Sequence, residues 1–317
     1  VRTFYISLFF ICGSLQVEAR KTCTQLFIEN AYAHDFVPVL GGTWELGFQR
    51  FGSHRSRTPL SIVDGLGLSF DHSQAVLNRL RQLTPRRAIS RVDLLGVGNT
   101  QHRQIITGRY DPNQPITTEM NAQALNEFNE NQYGQRQARL LALSWSTIVA
   151  VKAALLRPDL YSDIYLVGPY LKDMSRRYNA NPFIATMNFW GSGNIAFQMA
   201  KHRYAQDRLR DHYADQTPTP LQNHHEEFMQ GIFALTDDVT PRELIPLLRQ
   251  IQGVRVHILV GELDGTQALH DFHEAYMEIP EEFRGDFTVV EGQRHNGFDL
   301  FPEAVAEWLH ANDGYPK

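Results

Sequence analysis

Short apolar runs alternate along this chain with longer stretches whose apolar residues recur at helical spacing. Strands are predicted near Leu60 to Val63, Ile89 to Leu95, Leu140 to Leu143, Ile164 to Val167, Val254 to Val260 and Phe287 to Val290, with helical stretches between them. Such alternation implies right-handed βαβ crossovers and a doubly wound, mostly parallel α/β sheet. Between Gly168 and Gly253 the pattern changes. No strong strand occurs there, and helical patterns carry large apolar groups such as Phe183, Met187, Phe189, Trp190, Phe228 and Phe233. The interval reads as an insertion into the sheet.

One junction in this pattern carries chemistry. In Leu140-Leu141-Ala142-Leu143-Ser144-Trp145-Ser146-Thr147, a strand-like run stops at a serine and a helix-like run begins at Thr147. A sharp strand-to-helix turn demands small residues two places either side of the serine at its tip, and Ala142 and Ser146 meet that demand for Ser144. Taking Ser146 as the tip instead would put β-branched Ile148 two places on. Ser144 is therefore the better candidate nucleophile. The alternative without chemistry is that both serines end a strand and cap a helix.

Two further residues follow in an order that matters. Val254 to Val260 runs into Gly261-Glu262-Leu263-Asp264-Gly265, which places Asp264 just past a strand end; Phe287 to Val290 and a turn lead to Gln293-Arg294-His295-Asn296, ahead of a helix from Pro302 to Leu309. A serine hydroxyl is a weak nucleophile near neutral pH unless a base takes its proton during attack. Histidine titrates in the right range. Its second nitrogen needs a carboxylate that fixes the tautomer and stabilises the imidazolium. Asp264 and His295 supply these two groups. The remaining part is a pair of backbone N–H groups aimed at the developing oxyanion, and the residue after the nucleophile, Trp145, provides one.

With these pieces in place the chain resembles the α/β-hydrolase superfamily, in its lidded, esterase-like branch. The resemblance runs from Thr43 to Trp308. It rests on the hairpin-like stretch around Trp44 to Gly52, the loop Asp64-Gly65-Leu66-Gly67, the turn Asp93-Leu94-Leu95-Gly96-Val97-Gly98, the serine turn, and the acid and histidine loops. The separation of 14 from Ser144 to Pro158 also matches the family's spacing from nucleophile to helix exit. What the resemblance implies is a sheet of the α/β-hydrolase type, a helical lid inserted at 172–249, and a core made of 20–171 and 250–317. It further implies the Ser144, Asp264, His295 triad and a second oxyanion donor at Leu66 N–H. Phe189 and Trp190 in the lid are expected to line an apolar acyl site, since ligand pockets are mostly hydrophobic.

The chain departs from the family at one place. Where His-Gly usually precedes the oxyanion donor, Asp64-Gly65 stands here. An ionised carboxylate beside an oxyanion opposes catalysis unless it points away or is paired. Glycines spaced as Gly65-x-Gly67 and Gly96-x-Gly98 lack the third glycine of a dinucleotide fingerprint and read as tight turns. Epoxide hydrolases and haloalkane dehalogenases, which share the fold, carry Asp where this chain has Ser144.

Composition narrows the partners. The 317 residues are 43% hydrophobic with a formal net charge of −5, and no Lys/Arg cluster makes an electrostatic footprint for nucleic acid. Only Cys12 and Cys23 occur, which excludes a disulfide framework. His270 with His273, and His224-His225-Glu226-Glu227, are rich in ligand types but lack zinc spacing, so neither a metal nor another cofactor is expected. A basic start, an apolar run from Phe4 to Leu15 and Ala19 read as a signal peptide over 1–19, too short to span a bilayer, so a secreted or periplasmic protein is expected. If that segment is instead retained as structure, the protein is cytoplasmic. The reading is a serine hydrolase of small carboxylic esters or thioesters with an apolar acyl group. Carbon–carbon bond hydrolysis, aminopeptidase or amidase activity on the same triad, and a non-catalytic hydrolase-like binding protein are the alternatives.

Overall fold

Strand β5 (Ala138–Leu143) is buried at every position except Arg139, which is half-buried. A strand with neighbours on both sides and helices on both faces has no solvent-facing side, so its residues are apolar throughout rather than alternating. The computed structural model describes residues 35–52, 56–65, 73–95, 100, 117–171, 244–264, 268–295 and 297–312. Their strands, besides β5, are β1 (Asp35–Val39), β2 (Trp44–Phe51), β3 (Leu60–Val63), β4 (Ile89–Val92), β6 (Tyr161–Val167), β7 (Arg255–Gly261) and β8 (Arg284–Val290). They form one eight-stranded sheet in the order β1-β2-β4-β3-β5-β6-β7-β8.

From β4 to β8 every neighbouring pair is parallel, and β2 joins β4 antiparallel. The expected sheet is thus observed, with small differences at its strand ends. β4 stops at Val92 rather than continuing to Leu95. Its parallel partner β3 also ends there, at Val63 opposite Val92, while beyond that point Asp93 N–H donates to Gly47 O of β2 and Leu95 N–H to the side chain of Asn121.

Helices cover both faces. α1 (Gln74–Leu83) and α7 (Pro302–Asn312) pack on one side, where Val76, Leu77, Leu80, Val305 and Leu309 meet Leu60, Ile62, Ile89, Leu141 and Leu259. On the other side lie α2 (Thr118–Tyr133), α3 (Ser146–Leu156), α4 (Leu244–Leu248) and α5 (Leu269–Met277), against Val63, Leu140, Ala142, Ile164, Leu166 and Val260. A single-turn helix, α6 (Gly297–Leu300), precedes α7.

Local signals explain where these helices begin and end. The Thr117 side chain accepts the Met120 N–H and caps α2, which stops at Gly134 with φ +63°. α3 is apolar nearly all round because the sheet, α2 and α4 leave its residues Ser146 to Ala154 buried. Between α2 and the sheet runs a polar chain: Ser61 Oγ donates to Asn129, Asn129 Nδ2 to the Tyr161 hydroxyl, and that hydroxyl to Asn126. Buried polar groups are tolerated when each has a partner, and this chain fixes α2 in one position on β3 and β6.

The segment 1–19, residues 172–243 of the expected lid with Phe189 and Trp190, the loop holding Leu66, and Gly96 to Gly98 lie outside the described residues. Of the expected insertion only its end is described, as α4. Among the described residues, no helix is long and apolar enough to cross a membrane.

Candidate active site

Ser144 follows the last residue of β5 and adopts φ +56°. For a residue with a side chain this left-handed conformation costs about 1–2 kcal/mol, so neighbouring contacts must hold it. They do. Ser144 N–H donates to Val167 O at the end of β6 (2.9 Å), and Ser144 O accepts both Thr147 N–H (3.1 Å) and the Thr147 hydroxyl (2.5 Å). Thr147 Oγ1 in turn accepts Tyr170 N–H at 3.2 Å. The turn is thereby anchored to two strands and to the segment after β6. α3 starts at Ser146, one residue earlier than its apolar pattern suggests.

Three side chains from three separate loops converge there. His295 Nε2 lies 2.7 Å from Ser144 Oγ, and His295 Nδ1 lies 2.8 Å from Asp264 Oδ2. The Asp264 side chain is 1% exposed and that of His295 19%. An ionised carboxylate can only accept, so it places the imidazole proton on Nδ1 and leaves the Nε2 lone pair to accept from the Ser144 hydroxyl. The arrangement can deprotonate Ser144 during an attack.

The acid and histidine loops are tied together by their backbones. Glu262 N–H donates to Val290 O and Leu263 N–H to Gln293 O, while Gly292 N–H donates to the Glu262 carboxylate. Gly261 permits this approach, because a Cβ there would stand 2.4 Å from the carbonyl oxygens of Gln293 and Arg294. Gly168, at φ +50°, borders His295 directly.

Ser146, the rival candidate, is turned away from this constellation. Its hydroxyl is fully buried, accepts Leu143 N–H at 3.1 Å, and lies 2.9 Å from Leu143 O and 3.2 Å from Val63 O. The geometry brings Ser144 rather than Ser146 to His295. Trp145, half-buried, is the N-cap residue of α3, so its N–H sits at the positive end of the helix dipole. The second expected donor, Leu66, lies outside the described residues.

Asp64, the unexpected carboxylate, is buried and accepts the Ser73 hydroxyl at 2.9 Å. Ser73 precedes α1 but makes no side-chain cap for it. Its hydroxyl is spent on Asp64, and the bond links the two ends of the loop 65–72. Sequence reasoning did not single out Ser73, Thr147 or Gly168. A helix-capping serine, a threonine in a first helical turn and a glycine after a strand are too common to stand out. His270 and His273 do not converge on a common point: His270 contacts Asp271 at 3.0 Å, and the His273 ring packs 5.5 Å from that of Phe287.

Neither a protein-family model nor the sequence of any curated protein matches the chain. Its structure matches many solved ones. A bacterial membrane phospholipase A superposes with a TM-score of 0.63 at 16% identity, over 99% of both chains. A thermophilic esterase from Thermogutta terrifontis gives 0.61 at 18% identity, over 88% of this chain and 97% of the other. The thioesterase domain of the curacin biosynthetic pathway gives 0.56 at 14% identity, over 87% and 98%.

Proposed function

On the α/β-hydrolase fold that this chain adopts, we propose a serine hydrolase of carboxylic esters or thioesters with an apolar acyl group. The observation that carries the proposal is the unbroken chain from Asp264 through His295 to Ser144, with Ser144 held at φ +56°. Strain stored at one residue and maintained by several hydrogen bonds is a mark of a working site rather than of a helix cap. The hydrolases and thioesterase that share the architecture add support.

Each step uses groups already named. Ser144 Oγ attacks the carbonyl carbon while its proton passes to His295 Nε2, and Asp264 stabilises the imidazolium. The negative charge that develops on the carbonyl oxygen is met by Trp145 N–H, with Leu66 N–H as the second donor. Collapse breaks the bond to the leaving alkoxide or thiolate, which takes the proton from His295. A water then attacks the acyl-serine, His295 receives its proton and returns one to Ser144, and the acid is released. The electron and proton balance closes without a cofactor.

Apolar selectivity is supported by the large apolar side chains between Gly168 and Gly253, and by Leu263, adjacent to Asp264 in the chain and 57% exposed. Each methylene buried from water contributes about 0.8 kcal/mol. In a series of p-nitrophenyl esters from acetate to laurate, kcat/KM is expected to rise by roughly fourfold at most per carbon and then level off at the pocket's length. Mass spectrometry after a fluorophosphonate probe should find the label on Ser144. A folded protein that takes no label and cleaves no ester, thioester, diketone or aminoacyl amide would instead be a non-catalytic binder.

A further inference from the structure

We propose that the edge of the sheet opposite Ser144 docks on an anionic phospholipid surface, through a face of arginines that folding assembles from three segments. The inference goes beyond the proposed reaction and does not depend on it.

Residues 46–63, 73–92 and 131–158 contain no Asp or Glu, and they include Arg50, Arg57, Arg81, Arg86, Arg87 and Arg136. The fold brings these segments together where β3, β4 and β5 begin. Arg87 Nε donates to Thr58 O (3.1 Å), Arg136 Nη1 to Ser56 O (3.0 Å) and Arg50 Nη1 to Gln132 Oε1 (2.9 Å). A Cβ on Gly52 would stand 1.8 Å from Arg87 O, and the Arg81 guanidinium lies 5.3 Å from the centre of the Phe51 ring. Ser144, Asp264 and His295 all follow the other ends of their strands. At about 3.3 Å per residue, β5 separates the two edges by roughly 20 Å.

Burial divides the arginines. Arg87 is buried, while Arg57, Arg81 and Arg86 are exposed, and among the described residues no carboxylate pairs with any of these three. Arg81 also offsets the negative end of α1, in whose last turn it lies. A chain of formal net charge −5 that keeps such cations on one edge is polarised, and that edge faces an anionic partner.

Next to this face is an open groove of about 450 Å³, lined by Asn78, Arg81, Gln82 and Pro85. Arginine can only donate, so the bond from Arg79 Nη1 turns the Gln82 carboxamide oxygen toward Arg79 and leaves its N–H groups for the groove. Asn78 Oδ1 is likewise taken, by Gln74 Nε2. Donors beside a guanidinium suit a phosphate oxygen.

A lipid surface fits better than a nucleic acid. Strands of a parallel sheet start along one line, so the loops before them can meet a plane together, with a headgroup phosphate in the groove. Single strands are held by bases stacked on exposed rings. Phe51 and Tyr133, the aromatic side chains at this edge among the described residues, are half-buried and buried, and the Phe51 ring already contacts Arg81 and Arg91.

The test is co-sedimentation of the full chain with vesicles. Those of equal parts phosphatidylcholine and phosphatidylglycerol should bind it at about 0.1 M salt and release it at about 0.5 M, and vesicles of phosphatidylcholine alone should not bind it. Arg57→Gln, Arg81→Gln and Arg86→Gln should each weaken binding about fivefold, and the three together on the order of 100-fold. Arg249→Gln makes the same charge change beyond α4, on the other face of the sheet, and should leave binding within about twofold. If the triple variant does not fold, the single variants decide.

No binding to the anionic vesicles overturns the inference. So do equal binding to both kinds of vesicle, binding that the arginine variants retain, and a loss as large in Arg249→Gln. Tighter, arginine-dependent binding to a DNA duplex than to the vesicles overturns it in favour of a nucleic acid. A protein that docks as expected but cleaves no ester removes the proposed function alone.

Discussion

Gly168 stands against the ring of His295: a methyl group on Gly168 would lie 3.1 Å from His295 Nδ1 and 3.0 Å from its carbonyl oxygen. The glycine follows β6, the strand beside the one that leads into Ser144, and its φ of +50° is one that a side chain makes costly. Gly168→Ala is expected to displace the imidazole from its line between Ser144 and Asp264. The anticipated result is a fall in kcat of at least about tenfold, since catalytic groups lose efficiency steeply with misplacement. Steady-state kinetics on the folded variant decides, and unimpaired kcat would mean that the histidine loop yields without cost.

On the proposed mechanism, Ser144→Ala and His295→Ala should each lower kcat/KM on the order of 10⁴-fold or more, because members of such a triad act as a unit. Asp264→Asn should be similarly severe through loss of control over the histidine tautomer. Near-full activity in Asp264→Asn would mean that another carboxylate serves His295.

Asp64→Asn keeps the shape of the side chain and its contact with Ser73 while removing the charge. If the carboxylate acts only by holding the loop ends, activity should be retained or rise. A loss comparable to that of His295→Ala would make Asp64 a proton-transfer group and refute the loop-closing role.

Asp163 on β6 offers a test in stability rather than activity. It receives hydrogen bonds from His257 Nε2 (3.3 Å) and Arg139 Nε (3.1 Å). His257 Nδ1 accepts Asp286 N–H, which leaves its proton on Nε2, facing Asp163. Burial alone would push the Asp163 carboxyl up, but the His257 bond and the Arg139 charge outweigh it and hold the pKa down to about 2. A depressed folded-state pKa contributes stability above the unfolded value near 4, and that contribution is lost as the pH falls through about 2. Asp163→Asn should therefore be less stable than the parent at pH 5 to 7 by on the order of 2 kcal/mol. The gap should close as the pH falls from 4 toward 2. Denaturant melts across that range report it, and a constant gap would show that packing, not charge, is what the substitution removes.

Much of the architecture is legible in residue order alone. Apolar runs such as Leu140 to Leu143 and Val254 to Val260 announce buried strands, because a strand covered on both faces has no polar side to alternate with. Their spacing by helical stretches leads to a parallel sheet, and the positions of Ser144, Asp264 and His295 just past strand ends put all three at one edge of it. Local chemistry settles these matters, and local chemistry is readable.

What residue order leaves open lies in contacts between distant parts of the chain. Ser144 and Ser146 are two residues apart in one turn, and the octapeptide favours one only by the size of its neighbours. Folding separates them fully: His295, 151 residues away, meets the first, while backbone groups of β5 and β3 surround the second. Ser73 directly precedes α1, yet its hydroxyl bonds Asp64 rather than capping the helix. β4 ends at Val92, opposite the last residue of β3, where the apolar run alone would continue to Leu95. A hydrogen bond is decided by which groups come within about 3 Å, and that distance is a property of the packed molecule, set by strands and helices that no neighbouring residue encodes.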